Sequence, residues 1–210
     1  DLSGGHTLVA VSSEALDVPR AILGSGVRGR SDGFIPDAEF AEPYGVVFVD
    51  GPVANRLGVD LVLSDTANHL LRGINVTDGT VVTLAGTGAQ WMGSDPTEGN
   101  AIDVPLSTPW DLAVLGDDIV IAMAGDHRIW AFSTVDRTVR VIAGTTNEGL
   151  VDAPNEAAWF AQPSAVEATA QRGGGVWVAD SETSALRFVG RSATETVSGH
   201  GLFDFGHRDG

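Results

Sequence analysis

Short apolar runs separated by turn residues recur along this chain. The segment 61–72 reads LVLSDTANHLLR, and the segments 120–130 (VIAMAGDHRIW) and 177–187 (WVADSETSALR) have the same form. In each, an apolar run leads into a few small or polar residues, and a second apolar run ends in Arg or Trp. Runs of this length that are rich in β-branched residues and separated by turn residues are typical of β-hairpins.

Each hairpin is flanked by two further apolar runs. The runs before the hairpins begin with proline, at 43–49, 109–114 and 163–168. The runs after them end in glycine, at 80–86, 138–144 and, in weaker form, 195–199. Each unit therefore contains four short strands. The period of about 55 to 60 residues is slightly longer than the roughly 40 to 50 of known blade repeats, and the excess lies in the connections. Four antiparallel strands repeated around an axis form the blade of a β-propeller, so we predict an all-β propeller of four-stranded blades.

The number of blades is smaller than a closed ring needs. Three full units cover 43–88, 109–147 and 163–199, and the last three strands of an earlier unit are expected within 1–26. Propellers close with about four to eight blades. We therefore expect residues 1–210 to be a single propeller region, and either a fragment of a longer protein or an arc that another chain completes. The only helix-like pieces in the pattern are 38–41 and 155–161.

The turn residues of the hairpins are interpreted as structural. Asp65 and Asp180 occupy the same place in two copies, where a carboxylate accepts backbone N–H bonds across a tight turn. His69 and His127 also occupy equivalent places. Equivalent positions in a ring are rotated by one blade and do not meet at one ion. We expect these histidines to pack in turns, and we predict neither a metal nor another cofactor.

The charge of the chain limits its partners. All 12 basic residues are Arg, against 28 acidic residues, for a net charge of −16, and there is no Cys. Nucleic-acid binding requires a basic footprint, and anionic membrane surfaces attract basic segments, so both partners are disfavoured. No apolar run approaches the roughly 20 residues that span a bilayer. A protein partner or a basic peptide is favoured instead.

Several sequence words resemble a known family. Asn68-His69-Leu70 spells the tripeptide after which NHL repeats are named. Longer words similar to those of NHL propellers are found at 106–113, 121–130, 160–164, 179–187 and 202–206. The chain thus resembles NHL-repeat β-propellers, and most closely those of proteins that join a thioredoxin-like domain to the propeller, together with their bacterial relatives. The resemblance implies a six-bladed ring, of which about three and a half blades are present, and a thioredoxin-like domain elsewhere in the full-length protein.

Candidate binding residues lie in the long connections and at the starts of the Pro-led strands. Trp91 stands in a polar, Gly-rich connection and is the aromatic side chain expected to be most exposed, which is a property of binding anchors. Acidic residues gather in the same connections, and an acidic rim attracts basic peptides. The residues predicted to bind a partner are Trp91, Asp95, Trp110, Asp111, Glu148, Asp152 and Gln162.

The resemblance and the charge together favour a non-enzymatic scaffold that binds a protein or a peptide through its acidic loop face. One alternative is a metal-assisted lyase or lactone hydrolase on the same scaffold. A second is an RNA-binding surface, which would require clustering of Arg28, Arg30, Arg72 and Arg187. A cytoplasmic location is expected; secretion is the alternative, in which case the sequon at 75–77 would be a glycosylation site.

Overall fold

Three five-stranded antiparallel sheets dominate the computed structural model, which describes residues 6–12, 15–199 and 201–202. Blade 1 contains β3 (Gly33–Phe34), β4 (Pro43–Phe48), β5 (Leu61–Asp65), β6 (Leu70–Asn75) and β7 (Thr80–Ala85). Blade 2 contains β8 (Glu98–Asn100), β9 (Pro109–Leu115), β10 (Asp118–Met123), β11 (Arg128–Ser133) and β12 (Thr138–Ala143). Blade 3 contains β13 (Ala153–Pro154), β14 (Pro163–Thr169), β15 (Gly175–Asp180), β16 (Ala185–Val189) and β17 (Ala193–Ser198). A separate two-stranded sheet pairs β1 (Leu8–Ser12) with β2 (Ala15–Leu23).

Within each blade the last four strands follow one another from the centre outward, as the repeat predicts. The order in blade 1 is β3-β7-β6-β5-β4, and the other two blades repeat it. The inner strands β4, β9 and β14 lie side by side. The three sheets do not close into a ring, so the described residues form a partial propeller, as predicted.

The fifth strand of each blade is a feature that the repeat did not predict. β3, β8 and β13 belong to the long connections, and each pairs antiparallel with the outermost strand of the blade that follows. Two or three residues are too few to show an alternating pattern. By this pairing each connection covers the exposed edge of its blade, where unpaired backbone groups would otherwise face solvent.

A short helix, α1 (Gly51–Leu57), joins β4 to β5 and was also missed. Its buried residues, Val53 and Leu57, are one turn apart, and they join the apolar core shared by blades 1 and 2. Two apolar positions do not make a recognisable helical period, and the Gly51-Pro52 pair is typical of a turn. Of the two helix-like pieces that were predicted, only Asn155–Ala157 contains a 3₁₀ turn. No helix among the described residues is long and apolar enough to cross a membrane.

The β1–β2 hairpin resembles the outer half of a further blade. Gly24, just after β2, donates its N–H to Ile35 O at 3.0 Å, as Gly86 does to Ala101 O at 2.8 Å. The described residues of this region form two strands rather than the three expected. An apolar groove of about 600 Å³ separates the hairpin from β4, where Phe48 is 80% exposed.

Candidate binding face at the start of the inner strands

Histidines tie neighbouring blades together where the inner strands begin. Each accepts, through Nδ1, the backbone N–H of the residue that precedes the proline of the next blade. The bonds join Glu42 to His6 (3.4 Å), Thr108 to His69 (3.0 Å) and Gln162 to His127 (3.1 Å). The three donors have φ near +52°, a conformation that is strained for residues other than glycine, and the histidine bonds help to hold it. Burial lowers the pKa of His69, which favours the neutral ring that this bond requires. The histidines therefore pack in turns, as predicted.

A cavity of about 200 Å³ opens between blades 2 and 3 beside these bonds. Its lining residues are Thr108, Trp110, Ala124, Gly125, His127 and Gln162. Two of them, Trp110 and Gln162, belong to the predicted binding set. The residues come from the β9 start, the β10–β11 turn and the connection before β14, so only the packing of two blades brings them together.

An aromatic pair extends this cavity toward blade 1. Tyr44 of β4 stacks on Trp110 of β9, with ring centroids 6.2 Å apart and an angle of 26° between the planes. The two residues follow the prolines of consecutive inner strands, so the propeller rotation places one beside the other. Tyr44 is 68% exposed, and Trp110 is half-buried. The pair presents a flat π surface to solvent of the kind that aromatic anchors use for peptides and cations.

Two carboxylates stand on the blade 3 side of the cavity. The Glu182 and Glu148 side chains are close enough to share a hydrogen bond, and this contact, followed by burial, raises the pKa of Glu182. The Glu182 N–H donates to Ala161 O at 3.1 Å, which places Glu182 beside Gln162 of the cavity lining. Two like charges in contact are costly, and an incoming cation would relieve the repulsion.

Asp152 of the predicted set is one arm of an ion-pair clamp around a buried arginine. Arg187, whose side chain is fully buried, lies 3.3 Å from Asp180 and 3.0 Å from Asp152, and it also donates to Trp159 O and Val151 O. Partial burial opposes ionisation of Asp152, but hydrogen bonds from Thr196 and the guanidinium together lower its pKa. The clamp fastens the connection to the blade.

Blade 1 repeats the clamp with Arg72 between Asp65 and Asp32, at 2.7 Å from each. Asp65 accepts the N–H of Ala41, a connection residue. The expected role of Asp65 as the acceptor of backbone N–H groups of its own turn is therefore wrong. Its backbone donor is Ala41 of the connection, and from its own turn it accepts the Asn68 side-chain N–H. Burial raises the pKa of Asp65 and of Asp180, and their hydrogen bonds and arginines oppose that rise.

Trp91 and Asp95 lie in the corresponding region of blade 2. Trp91 is half-buried rather than exposed as predicted, because it packs on the core and its ring lies 4.6 Å from the Arg128 guanidinium. Its indole N–H donates to Asp95 O, and the Asp95 carboxylate accepts the N–H of Met92. Asp111, the other predicted acid, accepts the N–H of Val166 at 3.0 Å and so joins β9 to β14.

The structure thus gathers three predicted residues, Trp110, Gln162 and Glu148, around one cavity. Tyr44 and Glu182 were missed. Alignment of the repeats could have found Tyr44, since it occupies the position of Trp110. Glu182 could not be found this way, because its contact with Glu148 joins a turn to a connection.

Two alternative functions depended on other clusters. Arg72 and Arg187 are buried in ion pairs of different blades, so the predicted arginine cluster for RNA does not form. Within the described ranges, no three His, Cys, Asp or Glu side chains are close enough to hold a metal ion. The metal-assisted enzyme stays a prediction without an assigned ligand set.

Comparison with known proteins gives consistent results. The NHL repeat family matches residues 106–132, which span β9, β10 and nearly all of β11 in blade 2. The chain is 33% identical over 198 residues to the Arabidopsis thaliana protein SUPPRESSOR OF QUENCHING 1, chloroplastic, with 89% of this chain and 18% of the relative covered. It is 31% identical over 217 residues to human NHL repeat-containing protein 2, with 90% of this chain and 28% of the relative covered. The chain therefore spans less than a third of the length of these relatives.

Solved structures agree on the fold. An auxiliary nutrient binding protein from Bacteroides thetaiotaomicron superposes with a TM-score of 0.59 at 13% identity, over 92% of this chain and 44% of that one. At this identity the likeness shows the fold alone. The repeated hairpins, the partial propeller and the matches to NHL relatives together support an NHL-repeat protein.

Proposed function

We propose that the chain is a non-enzymatic scaffold that binds a protein or peptide segment with basic side chains. The binding face consists of the Tyr44–Trp110 pair, the cavity beside His127 and Gln162, and the Glu148–Glu182 carboxylates. The observation that carries the proposal is a single cavity lined by Trp110 and Gln162, with the exposed Tyr44 ring stacked on Trp110 and with Glu182 bonded to the residue before Gln162. A guanidinium or ammonium group that enters there gains from both features.

The remaining acidic residues support this proposal through the field of the whole molecule. The net charge of −16 attracts basic segments at long range and speeds their association. Asp32 and Asp152 are each bonded to a buried arginine, which offsets part of their charge. The proposed acidic face therefore centres on Glu148 and Glu182.

Titration of arginine-rich peptides, and of matched peptides with glutamine for arginine, tests this function. The variant E148Q/E182Q is compared with E98Q/E156Q, which makes the same charge change at exposed positions elsewhere. We expect the first variant to weaken binding about tenfold and the second to have little effect, with affinity falling as salt increases. Binding that ignores salt, or equal losses in the two variants, would contradict the proposal.

The aromatic part of the face has a test of its own. The variant Trp110→Ala removes the central ring, while Trp177→Ala removes a ring that packs at a tilt against Phe188 in blade 3. We expect only the first to reduce peptide binding, by about tenfold, as at an aromatic anchor. Equal effects of the two variants would indicate that both act through stability.

We further propose that the chain acts within a longer protein whose additional strands complete the β1–β2 hairpin. The apolar groove beside β4 lies where inner strands would lie if the hairpin belonged to a complete blade like blades 1 to 3. Hydrogen exchange at β1 should then be slower in the longer protein than in the 210-residue chain. Equal exchange would contradict the proposal. The cytoplasmic location stays a prediction, and the chloroplast is named only for the Arabidopsis relative.

A further inference from the structure

A second cavity, of about 460 Å³, lies between blades 2 and 3 at the end opposite to the binding face. Its walls are the β9–β10 turn region and β12 of blade 2, and the β14–β15 and β16–β17 turns of blade 3. Apolar side chains cover much of the surface: Leu115, Val120, Ile142, Val176 and Val189. The volume falls within the range of small-molecule sites in proteins.

The interface between blades 1 and 2 shows why this cavity exists. There the corresponding space is filled by α1, which extends from the β4–β5 connection and buries Val53 and Leu57 against blade 2. Blade 2 has only Gly116 and Asp117 between β9 and β10, so no helix reaches toward blade 3. The cavity is thus the site of a missing helical turn.

The charges at the two interfaces are reversed. Arg56 of α1 forms an ion pair with Asp117 and donates to Thr134 in the β11–β12 turn of blade 2. At the corresponding turn of blade 3 stands Arg191, an exposed residue whose Nε donates to Gly173 O at 3.1 Å. The first interface therefore binds the Arg56 cation of α1, whereas the second interface exposes the Arg191 cation.

The other charged groups of the lining leave a positive balance. Arg140 and Asp118 form an ion pair at 2.6 Å, with the Arg140 side chain 43% exposed. Together with Arg191, the lining residues carry one net positive charge in a chain of net charge −16. Asn155 is already engaged, since it donates to Gly190 O and accepts from Thr194. The polar groups of the lining that are available to a ligand are therefore positively charged.

Three consecutive glycines, Gly173–Gly175, form part of the cavity wall. A side chain at Gly175 would come within 2.4 Å of Val189 O, so this position excludes any larger residue. Gly173 has φ +84° and Gly174 has φ +88°, a conformation that glycine adopts readily. The tight turn brings the backbone close to the cavity without filling it.

We propose that this cavity binds a small organic monoanion with an apolar body, such as a medium-chain aliphatic carboxylate. The apolar body replaces the aliphatic side chains that α1 supplies at the neighbouring interface. The carboxylate pairs with Arg191, with Arg140 next to it. This site is separate from the peptide-binding face, and the proposal does not depend on that function.

Calorimetric titration with octanoate, below its micelle concentration, tests the proposal. Octylammonium has the same chain with the opposite charge and is the matched control ligand. We expect octanoate to bind and octylammonium to bind at least about tenfold more weakly. Absence of octanoate binding, or equal binding of the two, would overturn the proposal.

Variants then locate the site. Arg191→Glu should weaken octanoate binding about tenfold or more, whereas Arg30→Glu makes the same charge change at an exposed residue outside the cavity and should leave it within about twofold. Asp118→Asn frees Arg140 and should tighten binding by about threefold.

Leu115→Trp fills the cavity from its half-buried rim and should abolish binding. Octanoate bound with unchanged affinity by the Arg191 and Leu115 variants would place it elsewhere, for example in the groove beside β1, and would refute the proposal.

Discussion

Blades 1 and 3 fasten their long connections by a buried ion pair, and blade 2 performs the same task with aromatic and apolar side chains. Registers within the sheets show which residues correspond. Arg72 pairs with Thr83, Arg187 with Thr196 and Trp130 with Val141. Met123 stands where blades 1 and 3 have Asp65 and Asp180. At these three positions the polar residues of blades 1 and 3 are therefore all replaced in blade 2.

The connections changed along with the blades. Trp91 N donates to Leu106 O, Gly29 N to Phe40 O and Gly149 N to Phe160 O, so Trp91 corresponds to a glycine in the other two connections. Its ring lies against Arg128, which is also 5.1 Å from the Trp130 ring and bonds Asp126 at 2.6 Å. Blade 2 also has an acid and an arginine, Asp126 and Arg128, but they occupy other positions of the repeat.

The difference indicates what the clamp requires. A buried ion pair compensates for the loss of hydration only if its bonds are complete, and well-packed apolar groups of similar volume can replace it at little cost. Even the complete clamps leave one buried donor without a partner, the Nε of Arg72 and of Arg187. The fold therefore depends on filling this space and bonding the connection, and not on one chemical solution.

Removal of one member of the clamp should have the largest effect. Arg72→Ala leaves the Asp65 carboxylate buried without its partner and frees the connection from three bonds, so we expect a loss of about 3 to 5 kcal/mol in the free energy of unfolding. Urea denaturation measures it. Arg28→Ala breaks an exposed pair with Glu42 and should cost less than about 1 kcal/mol. Similar losses in the two variants would show that the buried pair contributes no more than a surface one.

The acid of blade 2 should impose a pH dependence. Burial raises the pKa of Asp126 to about 6, although Arg128 and Trp130 oppose the rise. Because the folded state holds this proton more tightly than the unfolded state, stability decreases as pH rises from about 4 to 6, by up to about 3 kcal/mol. Denaturation of wild type and Asp126→Asn over this range isolates the contribution. A constant difference between the two proteins would contradict it.

Transfer of the blade 2 solution into blade 3 should be tolerated better than simple removal. In D180M/R187W/T196V, apolar side chains occupy the space of the clamp, so no charge remains buried without a partner. We expect a loss of about 2 kcal/mol or less, roughly half of that in Arg187→Ala. Thermal and urea denaturation of the two variants, measured in parallel, tests this expectation. A triple variant as unstable as Arg187→Ala would indicate that Trp91 is essential to the apolar packing that replaces the clamp in blade 2.

Loss of a histidine hydrogen bond should have the smallest effect on the free energy of unfolding. His69→Ser introduces the residue that blade 3 has at Ser184 in the same left-handed conformation. At pH 7.5 the loss of one hydrogen bond should cost about 1 kcal/mol, and His127→Ser should cost a similar amount. Because the folded-state pKa of His69 is lowered, its contribution is present above pH 6.5 and decreases as pH falls. A cost for His69→Ser that grows toward pH 5 would oppose this assignment.

The repeated strands were predictable because each hairpin carries its own apolar pattern. The short strands β3, β8 and β13 and the helix α1 were not, since their few residues show no period and form only against other elements. Of the candidate site, Trp110, Glu148 and Gln162 were predicted and are close together. Tyr44, His127 and Glu182 complete it through contacts between repeats, which a pattern along one repeat does not contain.

The sequence by itself determined the strands, the blade repeat and the acidic charge, because these depend on local pattern and composition. Tertiary structure alone decided that Arg72 and Arg187 are buried, that Trp91 stacks on Arg128 and that α1 fills one interface while the next stays open. Burial and pairing depend on distances between residues far apart in the chain. Equivalent positions of the repeat therefore hold an ion-pair clamp in two blades and an aromatic and apolar cluster in the third.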